Sequence, residues 1–279
     1  MTDWIVAMLN ALGSGVSDSA LSTLLQTPQD YNKALYDVSF TVANTAVKPI
    51  AATILAIVFT LELARVGAQV DGDRQLGVKM VAAAMFKIAL VYMAAVNAPL
   101  FLKAINEIGT SIIGGFSKSL SSSGADAVKL GDEAHDAIAG MHGMEQAGAF
   151  AILLIPFLVS QGVAIAVHVV VALRFMQLYV MTAFNPLPIA FIAHQDTRAW
   201  GIGYFKSYAV VVFQSVTLFF TFYLYRVLVK TAVAVPKASS DIGISWFIDN
   251  FTGLIGSSVL LLCAIFMSNS VAKRLFGGE

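Results

Sequence analysis

The chain has 279 residues, of which 58% are hydrophobic and 12% charged, with a mean hydropathy of +0.78. Soluble domains carry about 25% charged residues, so half that fraction, spread between long apolar runs, excludes a soluble globular protein and specifies an all-α, polytopic integral membrane protein. Lys+Arg and Asp+Glu balance at 17 each, leaving no global basic field to hold nucleic acid directly.

Residues 1–41 read as an amphipathic, extracytoplasmic tail. Asp3 stands where a cleavable signal would carry basic residues, and no small-residue cleavage site follows, so no cleaved leader is expected. Trp4, Ile5, Met8, Leu9 and Leu12 share one helical face. That pattern suits a short helix lying in the headgroup region, or one docked on the membrane domain.

A membrane-spanning helix needs roughly 20 predominantly apolar residues. Residues 42–98 supply two spans, 42–61 and 76–98. Residues 99–146 form a polar central region that opens with an amphipathic helix. There Phe101, Ile105, Ile108, Ile112 and Phe116 recur at helical spacing, with Lys103, Asn106, Glu107, Thr110 and Ser111 on the other side. Residues 117–146 are small and polar, a solvent-facing loop with a helical stretch around 125–139. The spacing of His135 and His142 among Asp132, Glu133, Asp136 and Glu145 matches no metal-site pattern, so these residues read as a solvated acidic loop.

Residues 147–272 form a second bundle with spans 147–173, 204–225 and 254–272, followed by a short tail, 273–279. Small residues such as Ala51, Ala82, Gly162 and Gly256 allow close helix approach in lipid. Cys263, the only cysteine, lies in the last apolar run and reads as a small hydrophobe.

Between these spans, residues 174–200 read "RFMQLYVMTAFNPLPIAFIAHQDTRAW". The stretch is apolar enough for lipid, yet Pro186 and Pro188 each remove a helix donor and free carbonyls that hydrocarbon cannot satisfy. Such backbone survives in a membrane only inside protein or beside water. Asn185, Pro186 and Pro188 are therefore expected to form an unwound corner sheltered from lipid, either a re-entrant hairpin or hinge lining a pathway, or a proline kink in a packed bundle.

Ionisable residues in apolar runs give the next signal. Lys48, Glu62, Lys79 and Lys206 lie near span ends, where snorkelling accounts for them. Lys87 and His168 lie deeper and join the corner as candidate conduit groups; for His168 a buried contact between helices is the favoured account. Glu62, placed near an end, offers no deep carboxylate for a proton relay. No nucleotide-binding, metalloprotease or hydrolase motif occurs, so no catalytic residue, cofactor or metal is expected.

Five full spans plus one interrupted segment put 63–79, 174–206 and 273–279 on the cytoplasmic side. These segments hold eight Lys/Arg, as many as the opposite flanks carry in more than twice the length, which favours this orientation over one with six spans. Arg174, Arg198 and Trp200 then mark membrane boundaries as candidate topology and assembly residues, with Trp200 and Trp246 as interfacial anchors.

Arg174 with "FMQLYVMTAFNPLPIAFIA", followed by "TRAWGIGYFKSYAVVVFQSVTLFF", resembles the TrbL-type polytopic inner-membrane subunit of conjugative type IV secretion systems. The resemblance covers the central and carboxyl-terminal two-thirds. The long hydrophilic extension of some members is not expected here. The resemblance implies a homo-oligomeric subunit in the bacterial inner membrane that contributes to the path for DNA or protein substrate, or to pilus assembly. Its implied partners are itself, the lipid bilayer, other secretion subunits including cytoplasmic ATPases, and the transferred substrate transiently. A secondary transporter of a small solute is the rival reading, and needs a matching broken segment in the other half, for which Lys48-Pro49 is the one echo. A purely structural membrane scaffold is the other.

Overall fold

The computed structural model describes residues 1–69, 74–121, 129–233 and 242–276. Among these the regular elements are all helical, in the order α1 (Thr2–Ser14), α2 (Asp18–Leu24), α3 (Pro28–Tyr31), α4 (Lys33–Val42), a π-helical turn (Ala43–Val47), α5 (Lys48–Gln69), α6 (Arg74–Val96), α7 (Ala98–Ser121), α8 (Leu130–Glu133), α9 (His135–Gly140), α10 (Gly143–Ala183), α11 (Pro186–Ile192), α12 (Arg198–Ala232) and α13 (Ile244–Leu275). Five helices are long and apolar enough to cross a membrane: Lys33–Ala68, Gly77–Val96, Gly143–Ala183, Arg198–Thr231 and Ile244–Leu275. The chain is an all-α polytopic membrane protein.

The first span is longer than its hydropathy suggested. Asn32 caps α4, its side chain accepting from the Leu35 N–H, and the helix runs on through Pro49 without ending. The π turn makes this possible: the Lys48 N–H donates to the Ala43 carbonyl, five residues back, widening the helix just before the proline ring. α6 closes at Asn97, whose side chain donates to the Met93 carbonyl at 2.8 Å.

Contacts group the chain into two compact units. One comprises Met1–Leu25, Thr110–Leu173 and Phe213–Ala272; the other comprises Gln26–Gly109, Arg174–Val212 and Lys273–Glu279. In the first unit α1 buries Ile5, Met8, Leu9 and Leu12, whereas Trp4 is 69% exposed and lies off that face. α1 packs on α8 and α9. Asn10 fixes the docking: its carbonyl oxygen accepts from the Gly131 and Asp132 N–H groups, and its amide donates to the Asp132 carboxylate at 2.8 Å. That bond, with Lys129 nearby, holds the Asp132 carboxyl below the usual carboxylate range. The polar central region is thus a packed platform over its described part, with Leu130, Ala134 and Ile138 buried; the expected helical residues 125–128 lie outside the described set.

α1 is followed by Gly15 at φ +63°, a conformation that side chains rarely adopt. The Tyr225 ring occupies the space a Cβ would need, and its hydroxyl donates to the Leu12 carbonyl at 3.2 Å. Arg226 completes the clasp on Asp18 at 2.7 Å. Trp246 is 7% exposed, its ring edge against Phe247, so it is a core residue and not an interfacial anchor.

α7 corrects the amphipathic stripe. Ala98, Leu102, Asn106 and Ile113 are buried, while Phe101 and Ile108 are about half exposed. The buried seam is rotated from the apolar pattern because it is built on a polar contact and a small residue. In the second unit the Asn106 amide donates to the Tyr208 hydroxyl at 2.7 Å, and Gly109 receives the Val212 side chain.

Gly15→Ala combines left-handed strain with a clash against Tyr225 and is expected to cost about 2–4 kcal/mol. Gly114, with open space where a Cβ would project, is the control; Gly114→Ala is expected to leave stability unchanged or slightly raised. Denaturant unfolding of the detergent-solubilised chain, followed by helical circular dichroism, distinguishes the two.

Candidate functional site

The described features with chemical character gather in the second unit, around the segment predicted to be interrupted. That segment does not begin at Arg174, because α10 continues unbroken to Ala183. The break is confined to Phe184 and Asn185, and it is a tightened turn between two helices instead of an unwound corner: Asn185 keeps right-handed helical angles at φ −57° and ψ −32°. Pro186 offers no N–H, so the Thr182 carbonyl takes the Asn185 N–H at 3.4 Å. Met181 thereby loses its normal donor and accepts instead from the Phe184 N–H at 3.2 Å and from the Tyr204 hydroxyl at 2.6 Å. Pro188 repeats the pattern, and the Phe184 carbonyl accepts from the Leu187 N–H at 3.2 Å. The geometry is that of a kink between packed helices.

The turn is sheltered on its Asn185 side, while Phe184 is 51% exposed. Asn185 is 1% exposed and Pro186 is buried. α11 packs on α5 and α6 through small residues, Ala190 and Ala193 meeting Ala51, Leu55 and Val58. The start of α12 presses on α11 at Gly201, where a Cβ would lie 2.4 Å from the Pro188 carbonyl oxygen. Beside this contact the Trp200 ring meets the edge of Phe191 at 5.6 Å while remaining 65% exposed.

Two buried polar side chains stand out. Both side-chain polar atoms of Asn185 lack a hydrogen-bond partner among the described residues. Arg174, expected at a membrane boundary, is instead an interior residue of α10, 3% exposed. Its guanidinium lies 4.2 Å over the Phe175 ring, which stacks on Tyr31 at 3.9 Å. Tyr179 closes this aromatic enclosure and ties α10 to α3 by donating its hydroxyl hydrogen to the Pro28 carbonyl at 2.8 Å. The Arg174 Nε and Nη1 groups have no partner among the described residues. Sequence reading placed Arg174 by counting loop charges; the signal for burial was its own helical neighbourhood, with Phe175 and Tyr179 on adjoining turns.

Lys87 and Glu62 were taken separately, one deep and one peripheral. The structure joins them at 3.1 Å, Glu62 being 13% and Lys87 41% exposed. Because the first helix runs on to Gln69, Glu62 lies well inside it and not at its end. Arg65 donates to Gln195 at 3.0 Å, and Arg198 opens α12 nearby, sharing a cavity with Lys87 and Gln195. His168 is exposed on α10 and bonds the Ala164 carbonyl of its own helix at 2.8 Å, so the expected contact between helices is not made among the described residues. No cluster that could hold a metal ion occurs among the described residues.

A second proline lies beside the turn. Pro49, after the π turn, and Pro186 line one cavity of about 200 Å³, together with Asn44, Lys48, Tyr92 and Val96.

No curated protein and no solved structure matches the chain at significance. A family model described as "TrbL/VirB6 plasmid conjugal transfer like protein" matches residues 14–186, which include the hairpin α5–α6, Arg174 and the turn as far as Pro186. The chain belongs to the TrbL/VirB6 plasmid conjugal transfer like family and is a membrane subunit of conjugal transfer and type IV secretion.

Proposed function

We propose that several copies of this chain assemble in the bacterial inner membrane and contribute one wall of the path taken by DNA or protein substrate. Separate cytoplasmic ATPases supply the energy, since the chain has no nucleotide-binding motif. The observation that carries the reading is the turn at Phe184 and Asn185. A buried amide with neither polar atom bonded costs about 1–3 kcal/mol, and it lies where two prolines have already reset the helix hydrogen bonds. Cost of this kind, concentrated at one joint of a membrane-spanning segment, supports a hinge that re-pairs during transfer.

A secondary transporter draws support from one specific observation, the cavity shared by Pro49 and Pro186, because a discontinuous helix beside a cavity frames the solute site in such proteins. Solute counterflow by the isolated chain in proteoliposomes would favour that reading over the conduit.

Pro186→Ala combined with Pro188→Ala restores both missing donors and lets the helix run straight. Insertion and accumulation are expected to be normal, while substrate transfer falls roughly tenfold or more, the effect of biasing a hinge by about 1.4 kcal/mol. Wild-type transfer by this double variant would remove the working role of the turn. Cysteines scanned through 182–192 provide the positional map, and crosslinks to substrate in transit are expected there.

Arg174 is proposed to act in assembly, by fixing the buried contact between α10 and α3 on which the shape offered to a neighbouring copy depends. Arg174→Met keeps the volume and removes a costly buried charge, so it is expected to fold at least as stably as the wild type. Arg174→Ala leaves a void and is expected to lose about 2–4 kcal/mol. Both should show reduced oligomer size on gel filtration in mild detergent; unchanged size in the methionine variant would contradict the assignment.

A further inference from the structure

Lys87 separates two cavities on the face of the α5–α6 hairpin that meets α11. One, of about 300 Å³, is bounded by Glu62, Arg65, Met80 and Ala84; the other, of about 430 Å³, is bounded by Phe86, Leu90, Ile192, Gln195 and Arg198. The charges around this wall do not balance. Among the described residues that line the two cavities Glu62 is the single carboxylate, and Lys87 already holds one of its oxygens. Arg65 is bonded to a neutral amide, and among the described residues no carboxylate lies at ion-pair distance from Arg65 or Arg198. Three cations against one anion leave a site two positive charges in excess, on helices apolar enough to span a bilayer.

The surroundings select the kind of anion. Phe86, Leu90 and Met93 fall on one strip of α6 and are 68%, 52% and 61% exposed, and the first two also line the larger cavity. A ligand that meets Arg198 and Lys87 with its charge therefore meets an open aliphatic and aromatic strip with the rest of its length. A free inorganic ion would satisfy only the first half. Basic pockets between membrane helices recognise acidic headgroups by this combination.

We infer that the larger cavity binds an anionic phospholipid, with the phosphate against Lys87 and Arg198 and an acyl chain along Phe86, Leu90 and Met93. Arg65, bonded to Gln195, adds positive charge from the neighbouring cavity, and the Glu62–Lys87 pair fixes the Lys87 side chain between the two. The lipid neutralises the excess charge and fastens the first turn of α12 to α6, because Arg198 and Lys87 come from these elements.

The test is retention of lipid by the full-length chain, purified in mild detergent and incubated with phosphatidylglycerol or phosphatidylcholine, followed by native mass spectrometry. Phosphatidylglycerol is expected to be retained preferentially by the wild type. Arg65→Gln with Arg198→Gln is expected to reduce that preference about tenfold or more, two charges being removed, while Arg65→Lys with Arg198→Lys keeps most of it. Equal retention of the two lipids by the wild type overturns the proposal even if the glutamine variant fails to fold. So does an unchanged preference in a folded glutamine variant. Glycerol phosphate or inorganic phosphate competing as well as the lipid would assign the pocket to a free anion and likewise overturn it.

Discussion

Every backbone carbonyl inside hydrocarbon needs a donor, and proline withdraws one. The structure meets this constraint in two opposite ways. Before Pro49 the helix widens, so that the Lys48 N–H reaches back five residues. Before Pro186 it tightens, the carbonyls of Met181, Thr182 and Phe184 each accepting from three residues ahead. Widening preserves one long helix, whereas tightening ends α10 and starts α11. The second solution also needs help from outside the segment, because the displaced Met181 carbonyl takes the Tyr204 hydroxyl as well. The first turns of α12 are thereby committed to the end of α10, and Gly201 brings the same turns against the Pro188 carbonyl.

Buried polar groups divide along a related line. Asn106 with Tyr208 and Lys87 with Glu62 are bonded in pairs, and each pair ties two elements of the second unit. Arg174 and Asn185 are not fully bonded within the described chain. Asn185 lies in the tightened turn, and Arg174 lies earlier in α10. A guanidinium cannot shed its charge to relieve burial, so the aromatic enclosure of Phe175 offers Arg174 only partial compensation. Uncompensated groups beside a reset hydrogen-bond pattern are the physical basis for the proposed hinge.

Hydropathy and proline made much of this legible. The all-α class and five spans followed from apolar run length, and the position of the break followed from Asn185, Pro186 and Pro188. What hydropathy could not resolve was direction within a helix. The α7 stripe was read from Phe101 and Ile108, yet its buried seam runs through Asn106, whose partner Tyr208 lies about a hundred residues away in sequence. Arg174 was read as a boundary because charge usually marks one, whereas its aromatic neighbours on both α3 and α10 could be brought together only by the fold. Glu62, near the end of its apolar run, lies two turns before the end of α5, and its pairing with Lys87 of α6 could not be read from either run alone. These differences are contacts between elements that a local pattern does not show.

The composition of the α11 contacts bears on why a break is retained at all. Ala190 and Ala193 pack against Ala51, Leu55 and Val58, with Ile54, Ile88 and Val91 around them. Small residues on the α11 side let its backbone approach α5 and α6 closely. Combined with a proline-bounded turn at one end and the polar stretch of His194, Gln195 and Asp196 at the other, α11 is built as a short rigid piece between two joints. Its seven residues are too few to persist as a helix without neighbours, so the surfaces of α5, α6 and α12 determine where it rests. A chain whose only task was to fill membrane volume would have no use for that arrangement, since one uninterrupted helix satisfies every carbonyl without recruiting Tyr204.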